Sequence, residues 1–301
     1  MRDDGNTVTS YCIYFNKSRQ GYYNRIQSEI RKEEKRKEIL MNVHKIRHML
    51  PFCGGRKLHY LLKQRGIKTG RDALFTTLRE EGLLIKKKRK YVRTTDSRHS
   101  LHRYENLIKD MEISHAEDVF VSDITYLDTE EGHCYLSIVG DCYSKKIMGY
   151  HVSKDMYAHS VLIGLIKAVK NRQYNRDTIH HSDQGSQYCS KTYTDACKLS
   201  NILISMAEKG KAYENPVAER MIGILKAEFG LNQKLKDYQH ACNIIPQVIH
   251  NYNTIRPHLS CGYLTPEEAH NQAKGLENKW RPKSYQHINK RKKVAKKEKL
   301  L

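Results

Sequence analysis

Three features that mark other classes of protein are missing from this sequence. It holds no apolar run close to the ~18 residues that a membrane-spanning helix needs, which argues against insertion in a bilayer. No apolar segment follows the polar first residues, so we expect no secretion signal. The eight cysteines are scattered and form no Cys-x-x-Cys pair, which favours reduced thiols and argues against a zinc site. Together these absences favour a cytoplasmic protein.

Basic residues outnumber acidic residues to an extent that indicates a polyanionic partner. The 301 residues include 54 Lys and Arg against 33 Asp and Glu, a formal net charge of +21. Because no membrane segment is expected, nucleic acid fits this charge better than a lipid surface. The hydrophobic share of 39% allows a packed core in a chain long enough for two or three domains.

Composition divides the chain into five segments. Residues 1–41 are predicted to form a basic, helical N-terminal segment, and residues 42–84 a small all-α module. A basic linker is expected at residues 85–117, followed by an α/β core at residues 118–275. The basic tail at residues 276–301 is expected to be disordered, because a run of like charges cannot pack.

The small module is predicted to contain three helices, at residues 44–50, 56–63 and 71–82, separated by glycine-containing turns. It resembles a helix-turn-helix, although any three-helix bundle would show the same apolar spacing. The basic residues expected to contact DNA there, mainly at phosphates, are Arg56, Lys57, Lys68 and Arg71. A cationic block that would add affinity without sequence information follows at Lys86, Lys87, Lys88, Arg89 and Lys90.

The α/β core is predicted from short apolar, β-branched runs that alternate with helical patterns. Three strands come first, then a helix, a strand, a helix, a strand and a helix. In that order these elements are expected at residues 119–126, 134–140, 146–152, 160–171, 178–183, 191–199, 202–206 and from 216. Another helix is expected at residues 238–252.

Three carboxylates and a lysine stand where they could form a site in this core. Asp123 lies in the first strand, and Asp183 ends the fourth at a Gln-Gly turn, an edge where ligands usually bind. Glu219 falls in the first turn of the helix opened by Asn215 and a proline, where the helix dipole is expected to keep a carboxylate ionised. Lys226 follows two turns later. A single Glu on an amphipathic helix is more often solvated, so the interpretation depends on all three acids.

Four motifs give the chain a specific resemblance. They are Ser122–Tyr126, His181–Tyr188, Glu214–Glu219 and Tyr252–His258. With 35 residues between the second and third acids, they resemble the OrfB-type transposases of the IS-three group of bacterial insertion sequences, in the superfamily of retroviral integrase catalytic cores. The resemblance runs from about residue 10 to residue 270. Departures at Glu214, Pro216 and Arg220 leave the three acids in place.

The resemblance implies a ribonuclease-H-like core, a mixed five-stranded sheet with helices on both faces. It implies a DNA transposase, a metal-dependent polynucleotidyl transferase that frees a 3′-OH by strand cleavage and uses it for strand transfer. Two Mg²⁺ or Mn²⁺ ions would be held by Asp123, Asp183 and Glu219, with Asp123 bridging. Implied partners are the double-stranded DNA of the element's inverted repeats and target, further copies of the chain, and an OrfA product or fusion. The chain resembles the OrfB product alone, in the bacterial cytoplasm and at the nucleoid when bound to DNA.

Several residue roles stay open at this point. Lys226 either faces DNA near the scissile phosphate or is solvated, and Asn215 either contacts DNA or caps its helix, with capping favoured. Asp141 would be the substitute if Asp123 failed to converge with the other acids. His181 is interpreted as a supporting residue rather than a ligand. The two residues that could contact phosphate or hold the C-terminal loop are Arg256 and His258.

Three other functions compete with the transposase hypothesis. The same acids could serve a plain nuclease or a retroviral-type integrase, although the helical module without a zinc finger argues against the integrase. A DNA-binding regulator that keeps an inactive catalytic fold is the non-enzymatic alternative. The intact set of acids argues against the regulator.

Overall fold

The structure is a computed structural model that describes residues 8–85, 101–109, 111–208, 214–272 and 275–276. The chain divides into two compact units near residue 88. The cationic block predicted at residues 86–90 and nearly all of the predicted tail lie outside the described residues. Within the described ranges, no helix combines the length and the apolar character that a bilayer crossing demands.

The N-terminal unit is helical throughout its described part. Its helices are α1 (Val8–Tyr14), α2 (Arg19–Met49), α3 (Gly55–Gln64) and α4 (Arg71–Glu80). Ser18 caps α2 by accepting a hydrogen bond from the Gly21 N–H at 3.0 Å. The boundary predicted between residues 41 and 42 falls inside α2, which runs without a break because no Gly or Pro occurs from residue 22 to residue 50.

Apolar faces of α2, α3 and α4 pack into one small core. The buried residues that form it are Ile39, Val43, Ile46, Leu58, Leu62, Leu74 and Leu78. The α3–α4 approach is close: a Cβ on Gly55 would lie 2.7 Å from the Phe75 ring. Arg47 ties α2 to the end of α4, since its guanidinium donates to the Leu83 carbonyl at 2.7 Å. The all-α character predicted for this region is confirmed, while the helix-turn-helix interpretation stays a prediction.

The C-terminal unit is built on one five-stranded sheet. Its strands are β1 (Val119–Thr129), β2 (Gly132–Asp141), β3 (Ile147–Ser153), β4 (Thr178–Ser182) and β5 (Ile202–Met206). In space the order is β3-β2-β1-β4-β5. The first three strands pair antiparallel, and β4 and β5 add parallel to β1. Parallel pairing needs crossovers, which helices supply. This mixed sheet is the ribonuclease-H-like arrangement, so the predicted fold class is confirmed.

Helices cover both faces of this sheet. They are α5 (Ala158–Lys170), α6 (Ser186–Cys189), α7 (Lys191–Leu199), α8 (Pro216–Glu228), α9 (Tyr238–Thr254) and α10 (Pro266–His270). On one face, Val139 of β2 packs with Ala168 of α5. On the other, a side chain at Gly140 would collide with Met221 of α8. Neighbouring residues of a strand point to opposite faces, so glycine at position 140 lets α8 lie directly on the sheet.

The core of this unit lies under α5 and α7. Its main cluster is Val161, Leu165, Tyr188, Cys189, Tyr193, Cys197, Ile202, Ile204 and Met206. All eight cysteines of the chain lie in described residues, and none forms a disulfide; Cys242 is half-buried and the others are buried. Free, buried cysteines behave as small apolar residues, as predicted from their scattered positions.

Part of the predicted linker belongs to this unit. Tyr104 packs against the main cluster. The Met206 N–H donates to the Glu105 carbonyl at 3.2 Å, and the Leu107 N–H donates to Ser205 Oγ at 2.9 Å. The prediction treated residues 85–117 as one linker because they are polar and lack an apolar period. Residues 104–108 dock through backbone groups instead, since β5 is an edge strand with unpaired groups on its outer side.

Candidate active site

Asp123 and Asp183 lie side by side where two parallel strands separate. The pairing of β1 with β4 ends at Val121 and His181, and each aspartate lies two residues beyond. β1 continues past this point against β2, whereas β4 stops. A crevice therefore opens between the strands beside both carboxylates. Backbone N–H groups orient them: Ile124 donates to Asp123 at 2.8 Å and Gly185 to Asp183 at 3.0 Å.

Glu219 reaches the same crevice from α8. It lies in the first turn of that helix, on the exposed side, while Met221 and Ile224 are buried. α8 packs across β1 and β2. Because the helix begins beside β1, its first turn carries Glu219 within electrostatic range of both aspartates. The three predicted acids therefore lie within electrostatic range of one another at one edge of the sheet.

Burial, together with neighbouring negative charge, raises the pKa of two of these acids. Burial raises the pKa of Asp123 from 3.8 to about 7, and the charges of Asp183 and Glu219 add to the rise, while the Ile124 N–H and Lys226 oppose it. Burial and Asp183 also raise the pKa of Glu219. This direction is opposite to the lowering of the pKa expected from the helix dipole, because burial and then the nearby charge of Asp183 disfavour ionisation of Glu219. The site thus carries a repulsion that a bound cation would relieve.

The donor set of the crevice consists of carboxylate oxygens. Such oxygens suit hard divalent cations, and Mg²⁺ in particular is held by few carboxylates together with water. Within the described ranges, however, no three His, Cys, Asp or Glu side chains are grouped closely enough to hold a metal ion. The acids converge in electrostatic range but not in coordinating contact.

Lys226 faces the same edge from the second turn after Glu219. Its ammonium lies 4.4 Å from the centroid of the Tyr126 ring, a cation–π contact. Burial lowers the pKa of Lys226, while Asp128 and Asp123 act to raise it. The side chain is half-buried and the ring orients it, while its role at DNA stays a prediction.

Asn215 does not cap α8 with its side chain. It occupies the N-cap position, but no side-chain capping bond forms there. Its amide donates instead to the carbonyl of Ser122 at 2.9 Å. The favoured capping interpretation is therefore wrong, because a long-range partner on β1 competes successfully for the amide. This bond fixes the start of α8 to the residue before Asp123.

A buried polar network beneath the aspartates was missed by sequence reasoning. His180 Nε2 lies 2.7 Å from Ser122 Oγ and 2.9 Å from the Tyr193 hydroxyl. Burial lowers the pKa of His180 to about 3, so the ring is neutral at pH 7. The neighbouring His181 meets Ser205 Oγ at 2.9 Å, which agrees with a supporting role. The paired histidines before Asp183 were a visible signal, but their partners come from distant parts of the chain.

Asp141 is engaged elsewhere. Its side chain is buried; one carboxylate oxygen accepts from the Glu117 N–H at 3.0 Å and the other from Ser144 Oγ at 2.5 Å. His270 lies 3.5 Å from the second oxygen. Burial acts to raise the pKa of Asp141, but these bonds outweigh it and hold the pKa below its ordinary value. Asp141 is thus a structural residue that anchors α10, and not a substitute for Asp123.

Arg256 holds the C-terminal loop. Its guanidinium is buried and makes two bonds to the Glu228 carboxylate, at 2.8 and 2.9 Å. A planar guanidinium matches a carboxylate in this two-bond geometry. His258 is also buried, with Nδ1 at 3.0 Å from Ser260 Oγ. Of the two roles left open for Arg256, the structure supports the loop-holding one, which clamps the last turn of α8.

The basic residues predicted to contact DNA in the N-terminal unit lie at helix starts and in a turn. Arg56 is at the start of α3 and Arg71 at the start of α4, and both are exposed. Lys68 is exposed in the intervening turn, and Lys57 is half-buried. Arg71 pairs with the adjacent Asp72 at 2.8 Å. Their role in DNA binding stays a prediction.

Comparisons with known proteins find integrase core families and proteins of insertion sequences. The chain matches the family "Integrase core domain" over residues 113–212, and a second family of that description over residues 200–266. It is 34% identical over 260 residues to an uncharacterized 31 kDa protein of insertion element IS600 from Shigella sonnei, covering 85% of this chain and 95% of that protein. It is 32% identical over 222 residues to transposase InsF for insertion sequence IS3A from Escherichia coli (strain K12), covering 73% and 77%.

Two of the solved structures that are similar to the chain are viral. A chain of the simian T-cell lymphotropic virus intasome, in complex with PP2A regulatory subunit B56 gamma, has a TM-score of 0.47 at 16% identity and covers 80% of this chain and 77% of that one. The HTLV-2 integrase catalytic core domain in complex with magnesium has a TM-score of 0.42 at 15% identity, covering 52% and 98%. The sequence matches decide the family: this chain belongs to the IS3-type transposases of the integrase superfamily.

Proposed function

We propose that this transposase cuts DNA at the ends of its insertion sequence and joins the freed 3′-OH to another phosphate, using divalent metal ions held by Asp123, Asp183 and Glu219. The observation that supports the proposal is the electrostatic coupling of these three acids at one edge of the sheet, with the pKa of Asp123 raised to about 7 by burial and by its acidic neighbours. A protein that had no cation to bind would gain nothing from such repulsion.

Carboxylate oxygens are the ligands that suit Mg²⁺ or Mn²⁺, and the three side chains would have to close in from their present positions to coordinate such ions. Asp123, which is coupled electrostatically to both other acids, would hold the ions together with Asp183 and Glu219. Bound ions of this kind activate an attacking oxygen and stabilise the leaving one in phosphodiester chemistry. Their charge would also lower the pKa of the three carboxyls and keep them ionised at neutral pH.

Other side chains at the edge would bind and orient the DNA. Lys226 carries a positive charge at the rim, and the Tyr126 ring beneath it limits where the ammonium can lie. An ammonium held in this way can receive a phosphate oxygen beside the acids. In the N-terminal unit, Arg56, Lys68 and Arg71 would add phosphate contacts, with the net charge of +21 supplying salt-dependent affinity.

The partners in this proposal are the inverted ends of the element, the target DNA and further copies of the chain. Two ends must be brought together for joining, which requires at least two sites in one complex. An OrfA product or fusion would add to the recognition of the element's ends. The whole reaction would take place on DNA in the bacterial cytoplasm.

Strand cleavage and joining on a labelled DNA carrying the element's end test this function. With Mg²⁺, wild type is expected to join strands, and Glu219→Gln is expected to lose at least about 100-fold in rate, since metal ions contribute several kcal/mol to such reactions. DNA binding should survive in the variant. Glu131→Gln, an exposed change in the same unit, is the matched control and should keep full activity.

Each other outcome favours a different function. Cleavage without joining in wild type would indicate a nuclease, or a need for the OrfA part, which adding the fused product would decide. Equal rates in wild type and Glu219→Gln would remove Glu219 from the site. Binding without chemistry, unchanged by an OrfA fusion, would support the regulator.

A further inference from the structure

The segment Tyr104–Lys109, here called the strap, lies on the C-terminal unit beside the active-site edge. Its Glu105 carbonyl accepts from the Met206 N–H at the end of β5. Two residues on, the Leu107 N–H donates to Ser205 Oγ, which also meets His181 Nδ1 at 2.9 Å. The strap therefore engages the end of β5 and, through Ser205, the strand that leads to Asp183.

One strap side chain reaches the start of α8. Asn106 Nδ2 donates to the Glu214 carboxylate at 2.9 Å, and the same carboxylate oxygen accepts from the Glu208 N–H at 2.9 Å. The other end of the Asn106 amide is held too, because its oxygen accepts from the Ile108 N–H at 3.1 Å. Asn106 is thus fixed by its own segment and holds Glu214, whose carboxylate also joins the chain after β5 to the chain before α8.

Glu214 directly precedes the residues that place Glu219. The next residue, Asn215, bonds to Ser122 on β1. The Asn215 carbonyl then accepts from the Glu219 N–H at 3.3 Å, in the first turn of α8. A displacement of Glu214 would thus be passed to Glu219 within one helical turn.

We propose that Asn106 is a positioning residue of the transposase, which holds Glu219 beside Asp123 and Asp183 through its hydrogen bond to Glu214. This inference rests on the proposed metal-dependent function of those acids. Asn106 lies before residue 113, where the integrase core match begins, and within the stretch that its sequence predicts as a linker. The active site is therefore completed by the polypeptide that leads into the core from the N-terminal side.

Reversal of the hydrogen-bond polarity tests the proposal in the full chain. Asn106→Asp sets a carboxylate against Glu214, and adding Glu214→Gln restores a donor and acceptor pair. Hydrogen exchange of α8 first-turn amides, measured without metal, should rise about tenfold or more in the single variant, as expected for loss of a bond to a charged group. The double variant should return to the wild-type rate. Asn175→Asp, an exposed site in the same unit, is the matched control.

Cleavage kinetics distinguish a positioning role of Asn106 from a general loosening of the C-terminal unit. The Mg²⁺ concentration for half-maximal strand cleavage should rise about 10-fold in Asn106→Asp, as for other residues that orient metal ligands. The rate at saturating Mg²⁺ should fall much less, and the double variant should recover the wild-type midpoint. Exchange of β2 and β3 amides should not change.

Three results would overturn the proposal: α8 exchange unchanged in Asn106→Asp, a Mg²⁺ midpoint unchanged despite faster exchange, or a double variant no better than the single one. If wild type shows no Mg²⁺-dependent chemistry at all, the proposed function fails instead. The exchange experiment without metal still decides in that case whether Asn106 holds the start of α8.

Discussion

Replacing Asp123 by Asn should make the metal-free protein more stable at pH 8. The pKa of Asp123 is raised from 3.8 to about 7 by burial and by its acidic neighbours. An acid whose pKa is higher in the folded state binds protons more tightly there than when unfolded. Stability is therefore lost as the pH rises from about 4 to about 7, and the full penalty is present at pH 8. Asn keeps the size of the side chain and the acceptor for the Ile124 N–H, but has no charge.

The size of the effect follows from the rise in pKa. At about 1.4 kcal/mol per pH unit, a rise from 3.8 to about 7 corresponds to at most about 4 kcal/mol. Because Asp123 is only half-buried, water and counterions screen part of the repulsion, and we expect a gain of about 2 kcal/mol. For a unit of this size, that gain raises the melting temperature by about 4–8 °C.

Thermal unfolding in EDTA at pH 8 and pH 5 measures this difference, with hydrogen exchange of β1 and β4 peptides to assign the transition to the C-terminal unit. The gain of Asp123→Asn over wild type should be large at pH 8 and small at pH 5. Asp177→Asn, an exposed change, should show no gain at either pH. Mg²⁺ should reduce the gain, because ion binding stabilises only the folded wild type.

Two results would refute this reasoning. A melting temperature of Asp123→Asn equal to or below that of wild type at pH 8 in EDTA would show that no repulsion is stored at the site. A gain of the same size at pH 5 and pH 8 would show that its cause is not the ionisation of Asp123.

Two further substitutions test side-chain contacts that support the site. Each is measured by urea unfolding, followed through the hydrogen exchange of α8 and α9 amides. Arg256→Met should cost about 2–3 kcal/mol because it removes two charge-assisted bonds to the Glu228 carboxylate, while adding Glu228→Met should recover most of the loss; equal loss in both would contradict the pair. For His270, burial lowers the pKa but Asp141 and Glu117 raise it further, so the net pKa is raised. Its stabilisation is present below pH 6.5 and lost at higher pH, so His270→Gln should cost more at pH 6 than at pH 9; an equal cost would contradict it.

Most elements of the C-terminal unit follow from local patterns. The five strands lie within three residues of their predicted ends because short β-branched runs and turn residues mark them. The predicted boundary between residues 41 and 42 divides α2, because the many charged residues of this helix hide its continuity in the sequence. The strap was missed because it docks through backbone groups and one amide, for which a polar sequence gives no periodic signal.

In the site, too, some features follow from neighbouring residues in the sequence and others from contacts between distant segments. The order and spacing of Asp123, Asp183 and Glu219 indicate the family and the acids, because each lies on an element whose type the sequence determines. Where each supporting side chain bonds depends on contacts between distant segments. Asn215 bonds to β1 rather than its own helix, and Asp141 bonds to Glu117 rather than joining the acids.

The sequence by itself determines the elements, the excess of positive charge and the three acids, since these depend on residue type and on neighbours a few positions apart. Only the tertiary structure decides by how much the pKa of the acids rises and which polar groups hold α8. The role that we propose for Asn106 also comes from the tertiary structure alone. These properties depend on burial and on hydrogen bonds between residues that lie about 100 positions apart. Long-range packing, and not local propensity, sets such contacts.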